Sequence, residues 1–432
     1  MGEIKELVDR IASGELTSVL AAREAIARIE AVDGEINAVV VRDFERALEA
    51  AHAADERIAS GERAPLLGLP MTVKESYDIA GLPTTWGLPE ARGHTASSDA
   101  VVVQRLKDAG AVIVGKTNIS PALADFQSVN EIYGATHNPH MQGRSSGGSS
   151  GGSAASLAAG YVVAEVGSDI GGSIRLPAAF CGVWGLKPTF GLVSREGHFW
   201  PGTDAGELPL SVAGPLARSA DDLGVLLDVI ADHPVHEPRR TSLDGARIAV
   251  IDHHPVAGID ADVRRVIDET CARAEAAGAV VDRSPELPDL KALYDEYVRM
   301  LLTTLSRGVA PEGVTPVTLA KWFEMLDQQQ RVAREWRTLL SERYDGVLAP
   351  VFGTTAFALD DVDMSARTIM IDGEPAECGH QLAWAGLAIY PNLPAVSFPA
   401  GKGSDGLPIG LQLIGRHYAE HEIIPMAAEM AL

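Results

Sequence analysis

The 432-residue sequence has little cysteine: Cys181, Cys271 and Cys378 are all there is. Odd in number, far apart and without C-x-x-C spacing, they predict neither a disulfide framework nor a zinc site, so no metal is expected. Basic residues are also scarce, with 36 Lys and Arg against 59 Asp and Glu, a formal net charge of −23. Such a surface repels phosphate backbones and anionic lipid, so no direct nucleic-acid binding and no membrane association are expected, and solubility accounts for the acidity. No apolar run reaches the ~18 residues of a membrane span. Met1 to Arg10 carries Glu3, Glu6 and Asp9 and does not read as a secretory signal, which makes the cytoplasm the expected compartment. Internal repeats are lacking, and low complexity is confined to one Gly/Ser tract. What remains is globular in composition, 46% hydrophobic and 22% charged, which excludes disordered and fibrous classes.

The first sixty residues read as helices. Ile4, Leu7, Val8 and Ile11 recur at helical spacing, Thr17-Ser18 can cap a helix over Val19 to Ala31, and Phe44 to Ser60 is a third. From Leu67 the pattern becomes strand, turn, helix, strand: Met71 to Val73, Ala100 to Ala109, Ala111 to Gly115, with Val162 to Val166 continuing the same parallel sheet. Ser219 or Asp221 caps a helix ending near Ala231. Arg247 to Ile251, Ala261 to Ala277 and Ala279 to Asp282 form another βαβ unit, either a new lobe or an extension of the first sheet. Lys291 to Tyr344 is mostly helical with a loop near Pro311 to Pro316. Tyr344 to Pro350, Asn392 to Pro399 and Leu407 to Ile414 are strand-like.

The stretch from Asn138 to Pro188 organises the rest. Its Gly/Ser tract runs directly into Ala154 to Ala164, which is nearly all apolar and must be buried, so the tract is not a tether. Glycine serves where backbone turns with positive φ or approaches another group closely. Two clusters do so: Gly147 to Gly152, and Asp169-Ile170-Gly171-Gly172-Ser173. We read Tyr161 to Val166 as a buried strand, Gly167 to Gly172 as a tight turn, and Ser173 as a hydroxyl at its end. The N–H groups of Ile170, Gly171, Gly172 and Ser173 can converge on one point, as an oxyanion hole does.

GGSSGGSAASLAAG followed by GSDIGGSIRLPAAFCGVWGLKP resembles the amidase signature family over some fifty residues. Leu69 to Glu75, LPMTVKE, is similar to the strand carrying that family's lysine, and LPA with GLPIGLQLIG to its closing strands; the likeness is weaker between about Asp232 and Tyr344. The resemblance implies a Ser–Ser–Lys triad made of Ser173 as nucleophile, Ser149 as relay on a cis peptide, and Lys74 as base. It also implies one α/β domain, 1–432, with a mixed, largely parallel central sheet covered by helices on both faces. Within it lie an N-terminal helical layer 1–62, a signature core 63–232 and a C-terminal α/β part 243–432. No cofactor is implied.

A hydroxyl needs a base to become a nucleophile. An unperturbed lysine titrates near 10.4, so Lys74 must be buried to be neutral. Its neighbour Glu75 should face away, since side chains alternate along a strand. Asp169 and Arg175 flank the turn, and the resemblance implies a buried pair between them. Ser150 and Arg144 are expected to support the first glycine cluster. By position, Leu123 and Ser128 border the acyl pocket, with His198 and Trp200 in a specificity loop.

Other functions compete. G-x-S-x-G occurs at Gly147 to Gly151 and Gly148 to Gly152, as in an α/β-hydrolase elbow of an esterase; that elbow must follow a strand, whereas Asn138 to Ser146 is polar and contains Pro139. A glutaminase-type subunit of a tRNA-dependent amidotransferase, and a non-catalytic binding protein using the anion-binding turn, are the alternatives. The expected reading is an amidase acting on a small-molecule amide. Aliphatic, aryl, peptide-amide and urea substrates all stay open, as does a homodimer.

Overall fold

The computed structural model describes residues 2–204, 208–309 and 315–432. Three helices, Glu3–Ala12, Ser18–Ile36 and Phe44–Ala59, lie where the sequence predicts helices, and a strand not expected there, Val39–Arg42, falls between the second and third. Thr17 caps the second, its hydroxyl accepting the Leu20 N–H at 3.1 Å, which satisfies one of the free donors of the first turn.

A three-stranded sheet follows, with Val112–Thr117 between Val39–Arg42 and Pro70–Lys74. Pro70–Lys74 and Val112–Thr117 run parallel across the helix Val101–Asp108, as a right-sized crossover allows. The larger sheet has eight strands in the order Val280–Asp282, Arg247–Val250, Gly346–Pro350, Pro408–Ile414, Ala395–Lys402, Trp184–Lys187, Val212–Ala217, Ala164–Asp169. The βαβ unit after Asp232 thus extends a sheet that already contains the signature core. Ser397 and Gln412 turn one face toward the helix Arg175–Cys181, while Gly401 meets Val266 of the helix Ala261–Ala276 on the other. The α/β class with helices on both faces holds.

Strand direction differs from expectation. Only Arg247–Val250 runs parallel to its neighbours in the large sheet, Val280–Asp282 and Gly346–Pro350; the other pairings are antiparallel. The sheet is mixed, and antiparallel where the signature sequence lies. Short connections explain this, since 395–414 closes as a hairpin through a turn at 403–406, and a tight turn cannot join parallel strands.

The strand expected at Val162 to Val166 begins at Ala164 and pairs with Val212–Ala217 rather than continuing the small sheet. Gly160, at φ +72°, and a bond from Tyr161 N–H to Ser156 O use residues 160–161 to leave the preceding helix. The strand therefore runs through Asp169, and the turn narrows to 170–173. The loop expected at Pro311 to Pro316 lies mainly outside the described residues. The apolar run after the Gly/Ser tract is the helix Gly151–Ala158, buried from Gly151 through Leu157, which is why its sequence lacks a polar face. One cluster of buried apolar side chains takes in Ile4 and Val73 as well as Val250, Leu348 and Met430.

Candidate active site

Lys74 ends its strand with a fully buried side chain. Its Nζ lies 2.7 Å from Ser149 Oγ and 3.0 Å from Ser168 Oγ. Burial pushes Lys74 down to about 7, although Asp169 and Glu165 act to raise it. Removal from water disfavours the ammonium more than these carboxylates favour it, so a large neutral fraction exists near neutrality. Glu75 faces the opposite way, accepting from the Thr85 N–H, the Trp86 N–H and Tyr133 Oη at 2.7, 3.1 and 3.0 Å.

The Gly148–Ser149 peptide is cis. The glycines around it are needed for space. Gly147 has φ +85°, and a Cβ there would lie 2.5 Å from Pro177 Cα; one on Gly148 would lie 2.2 Å from Asp125 O. Ser150 links the two glycine clusters, its N–H donating to Ser173 O at 3.2 Å and its hydroxyl to Ser168 O at 3.4 Å.

Asp169 shapes the second turn. Its carboxylate accepts the Gly172 N–H at 2.8 Å and the Ile174 N–H at 3.2 Å, and takes Arg175 Nε and Nη2 at 3.0 Å each. Burial would raise this carboxyl, but the Arg175 guanidinium outweighs it and holds Asp169 below its usual range. The remaining guanidinium nitrogen, Nη1, donates to Gln412 Oε1 at 2.7 Å and Ala385 O at 3.2 Å. Gln412 in turn donates to Pro350 O and Trp384 O. A buried ion pair with every donor used is the arrangement that low-dielectric burial demands.

These bonds revise the expected set of four converging amides. The Gly172 N–H is committed to Asp169 and turns away from the cavity, whereas no acceptor among the described residues takes the N–H of Ile170, Gly171 or Ser173. Tyr297, which the sequence did not single out, donates its hydroxyl to Ile170 O at 2.8 Å. Because the peptide is planar, fixing that carbonyl aims the Gly171 N–H the opposite way. Ser173 Oγ makes no hydrogen bond within the described protein, and Ser173, Ile170 and Gly171 line a cavity of about 420 Å³.

Of the expected pocket residues, Leu123 lines this cavity. Ser128 does not: it is buried behind the first glycine cluster, accepting the Gly151 N–H at 2.9 Å and donating to Gly147 O at 3.1 Å. Near in sequence to Leu123, it is drawn inward because the loop needs a hydroxyl there. His198 is also buried, bonded to Ser76 Oγ at 2.9 Å and Arg195 Nη2 at 3.0 Å, and burial holds it well below its ordinary value. Trp200 is partly exposed and packs on Trp86, away from the cavity. Arg144 reaches Ala356 O at 3.2 Å and ties the strand Met141–Ser145 to that segment.

That strand corrects another expectation, since the polar run before Gly147 does contain a strand, in a two-stranded ribbon apart from the main sheets. Ser149 nevertheless meets a lysine rather than a histidine. Besides Tyr297, sequence reading missed Ser168 and the buried acid Glu165, which burial raises to about 7 and which accepts from Thr117 Oγ1 at 2.7 Å. Ser168 stands one residue before the DIGGS motif, and strand alternation could have pointed to it; Tyr297 has no local signal.

The sequence matches the Amidase family over residues 21–326 and 317–424. It is 33% identical over 476 residues to a glutamyl-tRNA(Gln) amidotransferase subunit of Moorella thermoacetica, covering 98% of this chain and 94% of that protein. It is 35% identical over 458 residues to AtzE, a 1-carboxybiuret hydrolase subunit of Pseudomonas sp. strain ADP, covering 96% and 95%. A crystal structure of an amidase superposes with a TM-score of 0.83 at 27% identity, covering 100% of this chain and 99% of that one. The chain belongs to the amidase family, the amidase signature enzymes that hydrolyse amides.

Proposed function

We propose that this amidase, folded as one domain, hydrolyses a carboxylic amide to the acid and ammonia or an amine through an acyl-enzyme. Ser173 attacks the carbonyl carbon. Its proton passes by way of Ser149 to neutral Lys74 and is returned to the departing nitrogen. The N–H groups of Ile170, Gly171 and Ser173 receive the oxyanion, and water, activated by the same relay, releases the acid. The observation that carries this reading is the buried Lys74 nitrogen 2.7 Å from Ser149 Oγ, with burial holding the lysine at about 7. The same three side chains are those that the family resemblance implies. A fluorophosphonate probe should label Ser173, with loss of amide turnover in proportion; failure to label it removes the proposed nucleophile.

A partner-dependent reading is favoured by one observation, the 33% identity to an amidotransferase subunit over nearly the whole chain. In that case the site would be a glutaminase, active only in a complex. Isolated protein that turns over amides at rates unchanged by cell extract would exclude it. The acidic surface, at net charge −23, suits a free enzyme without direct nucleic-acid contact.

A further inference from the structure

The cavity in front of Ser173 has one apolar wall and an acidic rim. Leu123, Phe126, Val298, Leu301 and Leu382 form the wall, and Leu302 and Leu305 continue it to the surface, where they are 61% and 42% exposed. Asp125, Asp363 and Glu377 bring the charge. Among the described residues no lysine or arginine lines it. The cation behind it, Arg367, is buried and already shared between Asp125 and Asp360, one positive charge against two negative. Arg299, next to Val298, is paired with Glu296. His380 also lines the cavity, its Nε2 3.3 Å from Glu377. The internal segments outside the described residues contain no lysine or arginine, since 205–207 reads AGE and 310–314 reads APEGV.

From this we infer that the substrate, given the amide-hydrolase reading on which the inference rests, is an uncharged amide with an aliphatic or aryl body, and that amides bearing a carboxylate are rejected. A carboxylate entering this cavity would lose water and meet net negative charge with no donor cation, whereas an apolar chain would be covered on one side by five aliphatic or aromatic side chains. The volume, about 420 Å³, falls in the range of small-molecule sites. This separates the chain from relatives of near-equal length. The substrate named in 1-carboxybiuret hydrolase carries a carboxylate by its own name, as would the free amino acid used by a glutaminase.

A matched pair decides the matter: hexanamide and 6-amino-6-oxohexanoate have the same length and differ in a terminal methyl or carboxylate. Binding to the Ser173→Ala variant, measured by calorimetry, should favour hexanamide at least tenfold. The ratio should narrow in 0.5 M NaCl and in Glu377→Gln, which leaves the reacting groups untouched. Equal or tighter binding of the anion, or no binding of hexanamide, overturns the inference. Turnover by the wild-type enzyme and fluorophosphonate labelling are read separately. Loss of both with the binding preference intact would sink the hydrolytic reading and leave the charge selection standing.

Discussion

Tyr297 holds Ile170 by its carbonyl: the phenol donates at 2.8 Å across 127 residues of sequence, from the helix Leu290–Leu305 to the turn before Ser173. The peptide that follows is thereby fixed in orientation. Removing the hydroxyl in Tyr297→Phe keeps the ring against Gly386, whose close approach leaves no space for a side chain. One orienting hydrogen bond of ~1–1.5 kcal/mol is lost. We expect kcat to fall about tenfold with KM nearly unchanged, measured on any turned-over amide; an equal rise in KM would argue for a substrate contact instead.

Lys74, the proposed base, should govern the pH profile. Since burial holds it at about 7, kcat/KM should rise as pH passes through 7 and level above it, the reverse of a reaction needing the ammonium. Lys74→Arg stays protonated throughout and should lose about 10²–10⁴ in rate along with the rising limb. A limb that persists in this variant would assign it to another group.

Stability should follow pH through the same burial. Lys74 and Lys187 are pushed down to about 7 and Lys116 to about 8, against an ordinary 10.5. Between those values the unfolded chain binds more protons than the folded one, so stability rises with pH from about 7 toward 10.5, by up to about 1.4 kcal/mol per pH unit per lysine. Glu165, raised by burial from 4.5 to about 7, works oppositely: the folded chain holds its proton longer, and stability falls as pH climbs from 4.5 to 7. Urea denaturation at pH 7 and pH 9 should show the increase, and Lys74→Met should reduce it.

Breaking the Asp169–Arg175 pair from one side leaves a buried charge alone. Arg175→Leu should lower stability by about 3–5 kcal/mol, read from denaturant midpoints, and abolish activity. Asp169→Asn, which keeps the size but loses the charge and one of two acceptor oxygens, should also lower stability, because the Gly172 and Ile174 N–H groups and Arg175 must then share a single oxygen. A variant as stable as the parent would mean the pair only decorates the turn.

Legibility in the sequence followed distance along the chain. Elements defined within a few dozen residues, such as the Thr17-capped helix and the 247–282 βαβ unit, match their patterns because capping and periodicity are local. Glu75 facing away from Lys74 follows from strand alternation alone. The sense of the large sheet was not legible, for Trp184–Lys187 and Ala395–Lys402 pair across some two hundred residues with nothing local to set direction. Likewise Ser128, His198 and Trp200 carry the right chemistry for a pocket, yet burial and neighbours decide where they point. Tyr297 is one tyrosine among the chain's 8 until the fold brings Ile170 to it.

The bond from Arg175 Nη1 to Gln412 has a bearing on synthesis. Ribosomes deliver the chain from its amino end, so the guanidinium emerges more than two hundred residues before the glutamine that occupies its last nitrogen. A nascent chain that already carries Lys74, Ser149 and Ser173 still lacks the partner that completes the Arg175 brace beside the Ser173 turn. Products ending short of the 395–414 hairpin should therefore be inert, and hydrolysis should begin only after that hairpin has been made.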